Sequence, residues 1–241
     1  MDIGADSTVM LHGDAGALLS FTNELVSIGT CIDEIIDFFC ASGTIIIPTF
    51  TYSATKSQTF SPELSPSDVG IFSEMFRKHK AMKRTKHPNF SVSVSGKNCR
   101  EILNTRVDDA FGQGTVFDFL YRENAELVML GCSLDSLTFT HYVEQQLNVT
   151  YRYMKAFHAT IESRNKIRAF RTTYFVRNLE FDFDTTTSLT KFRKFAIEEN
   201  KLRVAKFGRY ECSAIKAREC FELMKLMLSQ DELSLVRGGK K

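Results

Sequence analysis

Glu126-Leu-Val-Met-Leu-Gly131, followed seven residues later by Thr138-Phe-Thr-His141-Tyr-Val-Glu144, is the stretch that decides the fold. Its first half is a short apolar run closed by a glycine, the pattern of a strand buried on both faces. The second half puts a histidine and a glutamate three positions apart, which makes them neighbours on a helix. Asp135 or Ser136 can cap the start of that helix. The histidine then stands near the carboxyl end of a strand, where ligands bind in open α/β sheets.

Working outward, residues 8–12 and 44–50 read as further buried strands. Residues 90–94 read as another, with Phe90, Val92 and Val94 alternating against Ser91, Ser93 and Ser95, so that one face packs and the other meets a ligand or another backbone. Residues 15–41 hold one or two helices with a break expected at Gly29. Ile32, Ile35, Ile36 and Phe39 recur there at helical spacing, with Asp33, Glu34 and Asp37 left for solvent. Residues 71–79, 98–104 and 116–123 read as helices, and the Ser-, Thr- and Pro-rich residues 51–68 as a long loop over the site. Past Tyr151 the texture changes to two longer strands, 155–161 and 167–176, an antiparallel pair around a turn at 163–166. A helix at 189–199, a strand at 204–207, a closing helix at 212–228 and a frayed tail at 237–241 follow. The expected fold class is α/β: one domain over residues 1–241, with a central mixed sheet flanked by helices and antiparallel strands in the C-terminal third.

A chain of 241 residues with 43% hydrophobic and 25% charged residues is long enough for that domain. A formal charge of +2 demands neither nucleic acid nor an anionic membrane as partner. The six cysteines form no C-x-x-C pair and no metal-ligand spacing with the five histidines, so they read as free thiols of a reducing compartment and no metal is expected. Cys212 and Cys220 are expected on one helix. No apolar run approaches the roughly 20 residues of a membrane span, and the amino terminus, with Asp2 and Asp6, lacks the basic start and apolar core of a secretory leader. The expectation is a cytoplasmic protein, with a homo-oligomer left open.

By spacing alone, a histidine beside a carboxylate is more often a surface pair than a catalyst. The company it keeps is more specific. Val9-Met-Leu-His12-Gly-Asp14, Gly43-Thr-Ile-Ile-Ile-Pro48-Thr-Phe50-Thr-Tyr52, Val69-Gly-Ile-Phe-Ser73-Glu74-Met-Phe-Arg77, His87-Pro-Asn-Phe-Ser91-Val-Ser93-Val-Ser-Gly96 and Phe111-Gly-Gln-Gly114-Thr-Val-Phe117 precede it in order. Together with Thr138-x-x-His141-x-x-Glu144 this series resembles the aminoglycoside 3-N-acetyltransferase family, from about Thr8 to about Leu226. Asn148-Val-Thr-Tyr151-Arg-Tyr153-Met-Lys155-Ala-Phe157 resembles members associated with cell-surface polysaccharide gene clusters.

The resemblance implies acetyl-CoA as co-substrate and an amino group on a sugar as acceptor. It implies a cofactor path along His12, Gly13 and Asp14, the strand end Thr49-Phe50, Ser91-Val92-Ser93 and the turn at Gly114-Thr115, with Tyr52, Glu74 and His87 toward the acceptor. The family's usual His-Ser-Ser is His12-Gly13-Asp14 here, and a carboxylate beside a pyrophosphate is unfavourable unless it faces away. Acetyl transfer to an amine needs a base near neutrality, and a histidine with a reference pKa of about 6.5 suits it. His141 is the candidate, oriented by Glu144 or Asp135. Thr138 can donate to the oxygen of the tetrahedral intermediate or serve the helix start. His87, held extended by Pro88, can bind substrate or brace a loop, and His12 can meet the cofactor or the backbone.

The acceptor follows from charge. Around the loop, Arg77, Lys78, Lys80, Lys83, Arg84 and Lys86 outnumber Glu63, Asp68 and Glu74, which favours a nucleotide-linked amino sugar of surface-polysaccharide biosynthesis. The alternatives are an aminoglycoside 3-N-acetyltransferase conferring antibiotic resistance, a (thio)ester hydrolase and a non-catalytic scaffold.

Overall fold

A computed structural model describes residues 2–23 and 25–238. The chain runs β1 (Thr8–Gly13), α1 (Ala15–Leu19), α2 (Ile28–Cys40), β2 (Thr44–Pro48), β3 (Thr59–Phe60), α3 (Ile71–Lys78), β4 (Lys83–Arg84), β5 (Val92–Gly96), α4 (Cys99–Leu103) and α5 (Val116–Arg122). It continues through β6 (Glu126–Leu130), α6 (Phe139–Gln146), β7 (Arg152–Ser163), β8 (Lys166–Arg177), α7 (Thr190–Glu198), β9 (Arg203–Phe207), β10 (Tyr210–Lys216) and α8 (Ala217–Gln230).

The main sheet has the order β4-β5-β2-β1-β6-β10-β9. Its parallel pairings are β2 with β1 and β1 with β6, Met10 standing opposite both Ile46 and Leu127; the outer pairs are antiparallel. Alternation along β1 sends Val9 and Leu11 to a layer with Leu18, Ile32, Ile36, Phe72 and Phe76, from α1, α2 and α3. Met10 goes to the opposite layer with residues of α5, α6, α7 and α8. The chain leaving β1 therefore covers one face and the chain leaving β6 the other, which opens a crevice at the carboxyl ends of the parallel strands. A smaller sheet, β3-β7-β8, carries the long antiparallel pair, paired over its full length and closed by Arg164 and Asn165 at φ 50° and 61°, as a two-residue hairpin turn requires.

The mixed α/β architecture matches expectation; several details do not. The helical break falls before Gly29, because Ser27 caps α2 by accepting from Thr30 N. Asp135 and Ser136 do not cap α6: they form a 3-10 turn capped by Ser133, and Asp135 Oδ1 accepts from Leu189 N at 2.6 Å. Cys212 lies on β10, not on the closing helix, which begins at Ala217. β10 is covered on both faces and so lacks the period-two signature of a strand. Of the expected tail, Arg237 and Gly238 are tied by their N–H groups to Thr186 and Asp184 carbonyls, and residues 239–241 lie outside the described residues. Among the described residues no helix is long and apolar enough to cross a membrane.

Gly131, just past β6, marks the tightest approach at the crevice. Its φ is +69°, and a Cβ there would lie 2.3 Å from Ala17 Cβ and 3.1 Å from the Tyr210 ring. We expect Gly131→Ala to lower stability by roughly 2–3 kcal/mol through strain and overpacking, read as a drop in the urea midpoint; an unchanged midpoint would show that α1 is free to move off β6.

Candidate active site

A cavity of about 400 Å³ occupies the crevice. β1 brings His12 and Gly13 to its wall, the end of β2 brings Pro48, Phe50 and Tyr52, and the turn into α6 brings Asp135, Thr138 and His141. Val69 and Ser73 close it from the loop and α3. Tyr52 holds a φ of 51°, uncommon for a bulky residue and found most often at functional sites.

His141 is fixed on two sides. Its Nδ1 lies 2.7 Å from Glu144 Oε2, and its ring meets Phe111 edge-on at 5.6 Å. Glu144 is fully buried and surrounded: Arg152 Nε lies 2.7 Å from Oε2 as an ion pair, and Tyr151 Oη donates to Oε1 at 2.9 Å. Burial alone would raise the Glu144 pKa; the charges of His141 and Arg152 and the hydrogen bonds to it outweigh that and hold it below the ordinary carboxylate value. Burial, reinforced by the Arg152 guanidinium, pulls the His141 pKa below its ordinary value against the opposing pull of Glu144. With Nδ1 donating to Glu144, the neutral imidazole keeps Nε2 as an acceptor.

His12 shares a side of β1 with Met10, the layer to which α6 belongs. It is buried, burial lowers its pKa to about 4 against a weaker opposing interaction with the Val128 backbone, and neither ring nitrogen makes a well-formed hydrogen bond to the described residues. A polar ligand in the cavity would supply what such a group lacks. Thr138 makes no capping hydrogen bond, and its hydroxyl donates only to Ser136 O at 3.3 Å. The Cys132 thiol, also on the wall, is pushed up to about 12 by burial, so it is a neutral group at pH 7 and no ready nucleophile.

Other expected site residues are not brought to this cavity. Thr49, Ser91 and Ser93 are buried and bonded to one another, with Ser91 Oγ donating to Thr49 O at 2.8 Å and Arg84 Nε donating to both hydroxyls; Val92 is core. The small-residue face of β5 thus meets another backbone, not a ligand. Gly114 and Thr115 start α5, Gly114 N donating to Asp118 Oδ2 and the Thr115 hydroxyl accepting from Asp118 N. Asp14 caps α1, its Oδ1 accepting from Gly16 N and Ala17 N at 2.8 and 3.1 Å. Glu74 is occupied by Arg77 and by Ser67 N. His87 accepts from Asn89 N and Phe90 N through Nδ1, a loop brace. Helical spacing does not point to Tyr151 and Arg152 as partners of Glu144: Tyr151 ends the connection after α6, seven residues on, and Arg152 opens β7, eight residues on.

Fold and cavity together define an α/β protein that presents a carboxylate-held histidine at a strand-end crevice. The chain belongs to the aminoglycoside 3-N-acetyltransferase family, whose model matches residues 10–229. It is 23% identical over 163 residues to the SPbeta prophage-derived aminoglycoside N(3')-acetyltransferase-like protein YokD of Bacillus subtilis strain 168, a match covering 58% of this chain and 59% of that relative. The YokD crystal structure is similar at TM-score 0.76 and 20% identity, over 94% of this chain and 88% of that one. AAC-IIIb in a binary complex with CoASH is similar at 0.72 and 16%, over 98% and 92%, and AAC-VIa bound to sisomicin at 0.75 and 15%, over 93% and 92%.

Three histidines are held uncharged: burial lowers His12 and His87 to about 4, and His141 lies below its ordinary value. In the unfolded chain each takes a proton near pH 6.5. Their contribution to stability is complete above that pH and is lost as pH falls toward 4. The urea midpoint should therefore decline between pH 7 and 5, above the range where carboxylates titrate; a flat midpoint over that interval would contradict this.

Proposed function

We propose that this chain transfers the acetyl group of acetyl-CoA to an amine of an aminoglycoside-type amino sugar. The observation that carries the reading is the uncharged His141, locked by Glu144 at the wall of the cavity. An ammonium group must lose a proton to attack a thioester carbonyl, and Nε2 is the acceptor available there. Glu144 stabilises the imidazolium that forms. Thr138 and His12, both on the cavity wall, are the candidate groups to meet the thioester oxygen as it gains charge. Family membership supports acetyl-CoA as donor, and among the similar structures one relative holds CoASH and another sisomicin.

The charge argument for a nucleotide-linked acceptor gives way. Arg77 is paired with Glu74, Arg84 is spent on the carbonyls of Thr49 and Ser65, and Lys78 also meets Glu74. Counted in sequence these are free cations; folded, Arg77 and Arg84 are internal ties, while Lys78 stays largely exposed. Asp135 brings a carboxylate to the cavity wall, suited to an amine-rich acceptor. The aminoglycoside reading is therefore preferred to that of surface-polysaccharide biosynthesis. A (thio)ester hydrolase would release CoA from acetyl-CoA without any amine.

We expect His141→Ala to lower kcat for sisomicin acetylation by about 100-fold or more, with acetyl-CoA affinity by calorimetry changed less than about threefold. In the wild type, thiol release should require the aminoglycoside and should be absent with a nucleotide-linked amino sugar. Retained turnover in the variant would remove His141 from the chemistry, and acceptor-independent release would make the protein a hydrolase.

A further inference from the structure

One oxygen of Glu144 serves two partners. His141 Nδ1 and Arg152 Nε each lie 2.7 Å from Oε2, while Tyr151 Oη holds Oε1 at 2.9 Å. The oxygen that meets the imidazole is therefore placed by the start of β7 as well as by the helix that carries His141. Arg152 is itself firmly held. Its side chain is 1% exposed, Nη1 donates to Phe175 O at 3.3 Å, and Nη2 donates to Thr187 Oγ1 at 3.4 Å. A planar guanidinium tied to Glu144, β8 and the segment before α7 can present Nε in only one direction. A buried ion pair is weak evidence for stability, because apolar side chains of similar volume commonly do as well; its use here is orientation.

The same guanidinium supports the second contact on the imidazole. It meets the Tyr174 hydroxyl, the Tyr174 ring packs 5.9 Å from Phe111, and Phe111 meets His141 edge-on at 5.6 Å. Glu144 at Nδ1 and Phe111 against the ring thus both lead back to one side chain, which does not itself line the cavity. Its charge acts in the same place, favouring the ionised Glu144 and disfavouring the protonated His141. The other titratable or charged groups around the pair are Arg177 at the end of β8, Tyr151, Tyr174 and, on the cavity wall, Asp135. Of these Arg177 alone is a cation, and it acts on His141, not as a partner of Glu144.

We propose that Arg152 is a positioning residue for the acetyl transfer, acting through Glu144 to keep the carboxylate turned to Nδ1 and Nε2 of His141 turned to the cavity. The proposal rests on the acetyltransferase reading above and adds a residue outside the cavity on which the base depends.

The test is a double-mutant cycle between Arg152→Met and Glu144→Gln, read by sisomicin acetylation and by nitrogen NMR of His141. Arg152→Met alone should lower kcat about tenfold or more and leave the KM values for acetyl-CoA and sisomicin within about threefold. It should also move the His141 titration upward, because a cation beside the imidazole is gone. In the Glu144→Gln background the same substitution should change kcat less than about threefold, since the carboxylate it positions is absent. The double variant buries neither charge, which favours its folding. If Arg152→Met does not fold alone, Arg152→Lys takes its place in the cycle and is judged on kcat, with the same loss expected. An equal loss of kcat in both backgrounds would make Arg152 purely structural and overturn the proposal, as would an unchanged kcat or an unmoved His141 titration in Arg152→Met. The titration needs no turnover: wild type that releases no thiol with sisomicin rejects the acetyltransferase reading, while the titration still judges the hold of Arg152 on His141.

Discussion

The Glu144 carboxylate is the constraint on which the site depends. A charge with no exposure to water costs several kcal/mol unless partners surround it, and here they come from two elements and the turn between them. His141 lies one turn back on the same helix, Tyr151 ends the connection, and Arg152 opens β7. Satisfying Glu144 therefore docks the small sheet beside the helix that carries the base. Arg152 extends the tie by donating to the Phe175 carbonyl on β8. The imidazole is held in one orientation as a consequence of burying the charge, and burial, reinforced by the guanidinium that balances Glu144, holds its pKa below the ordinary value.

What the sequence made legible was whatever is written in local spacing. The strand at 126–130 and the pairing of His141 with Glu144 are both short-range patterns, and both are present. Contacts made across the fold were not legible. Arg152, ahead of the strand expected at 155–161, carries no local signal of its role until Glu144 is placed beside it. Ser91 and Ser93 read as a face for a ligand, yet Thr49 and Arg84 fill that face. Gly114 and Thr115 have the composition of a phosphate turn and start α5, where Asp118 accepts from Gly114 N. His12 was left between cofactor and backbone; it stands at the cavity wall with the Val128 backbone acting on its ring.

Charge shows the same limit. Net balance along a segment is visible in sequence, but whether a cation is free depends on the carboxylate or carbonyl that the fold brings to it. The basic run from Arg77 to Lys86 loses Arg77 to Glu74 and Arg84 to the backbone of the strand end and loop. Arg209 is the converse: an arginine with nothing to mark it in the sequence, laid over the Tyr210 ring and donating to its hydroxyl, with the Asp14 charge nearby. The departure at Asp14 belongs to the same account, since the carboxylate that caps α1 removes the turn's amides from any phosphate.

The central claim is that His141 rests as a neutral base, with its proton on Nδ1 facing Glu144 and Nε2 open to the cavity. Nitrogen NMR of the histidine-labelled protein across pH, with His141 assigned by its loss in His141→Ala, reads tautomer and titration together. The account predicts the Nδ1–H tautomer at pH 7 and a titration midpoint below the ordinary value of about 6.5. An Nε2–H tautomer, or a midpoint above that value, would contradict it.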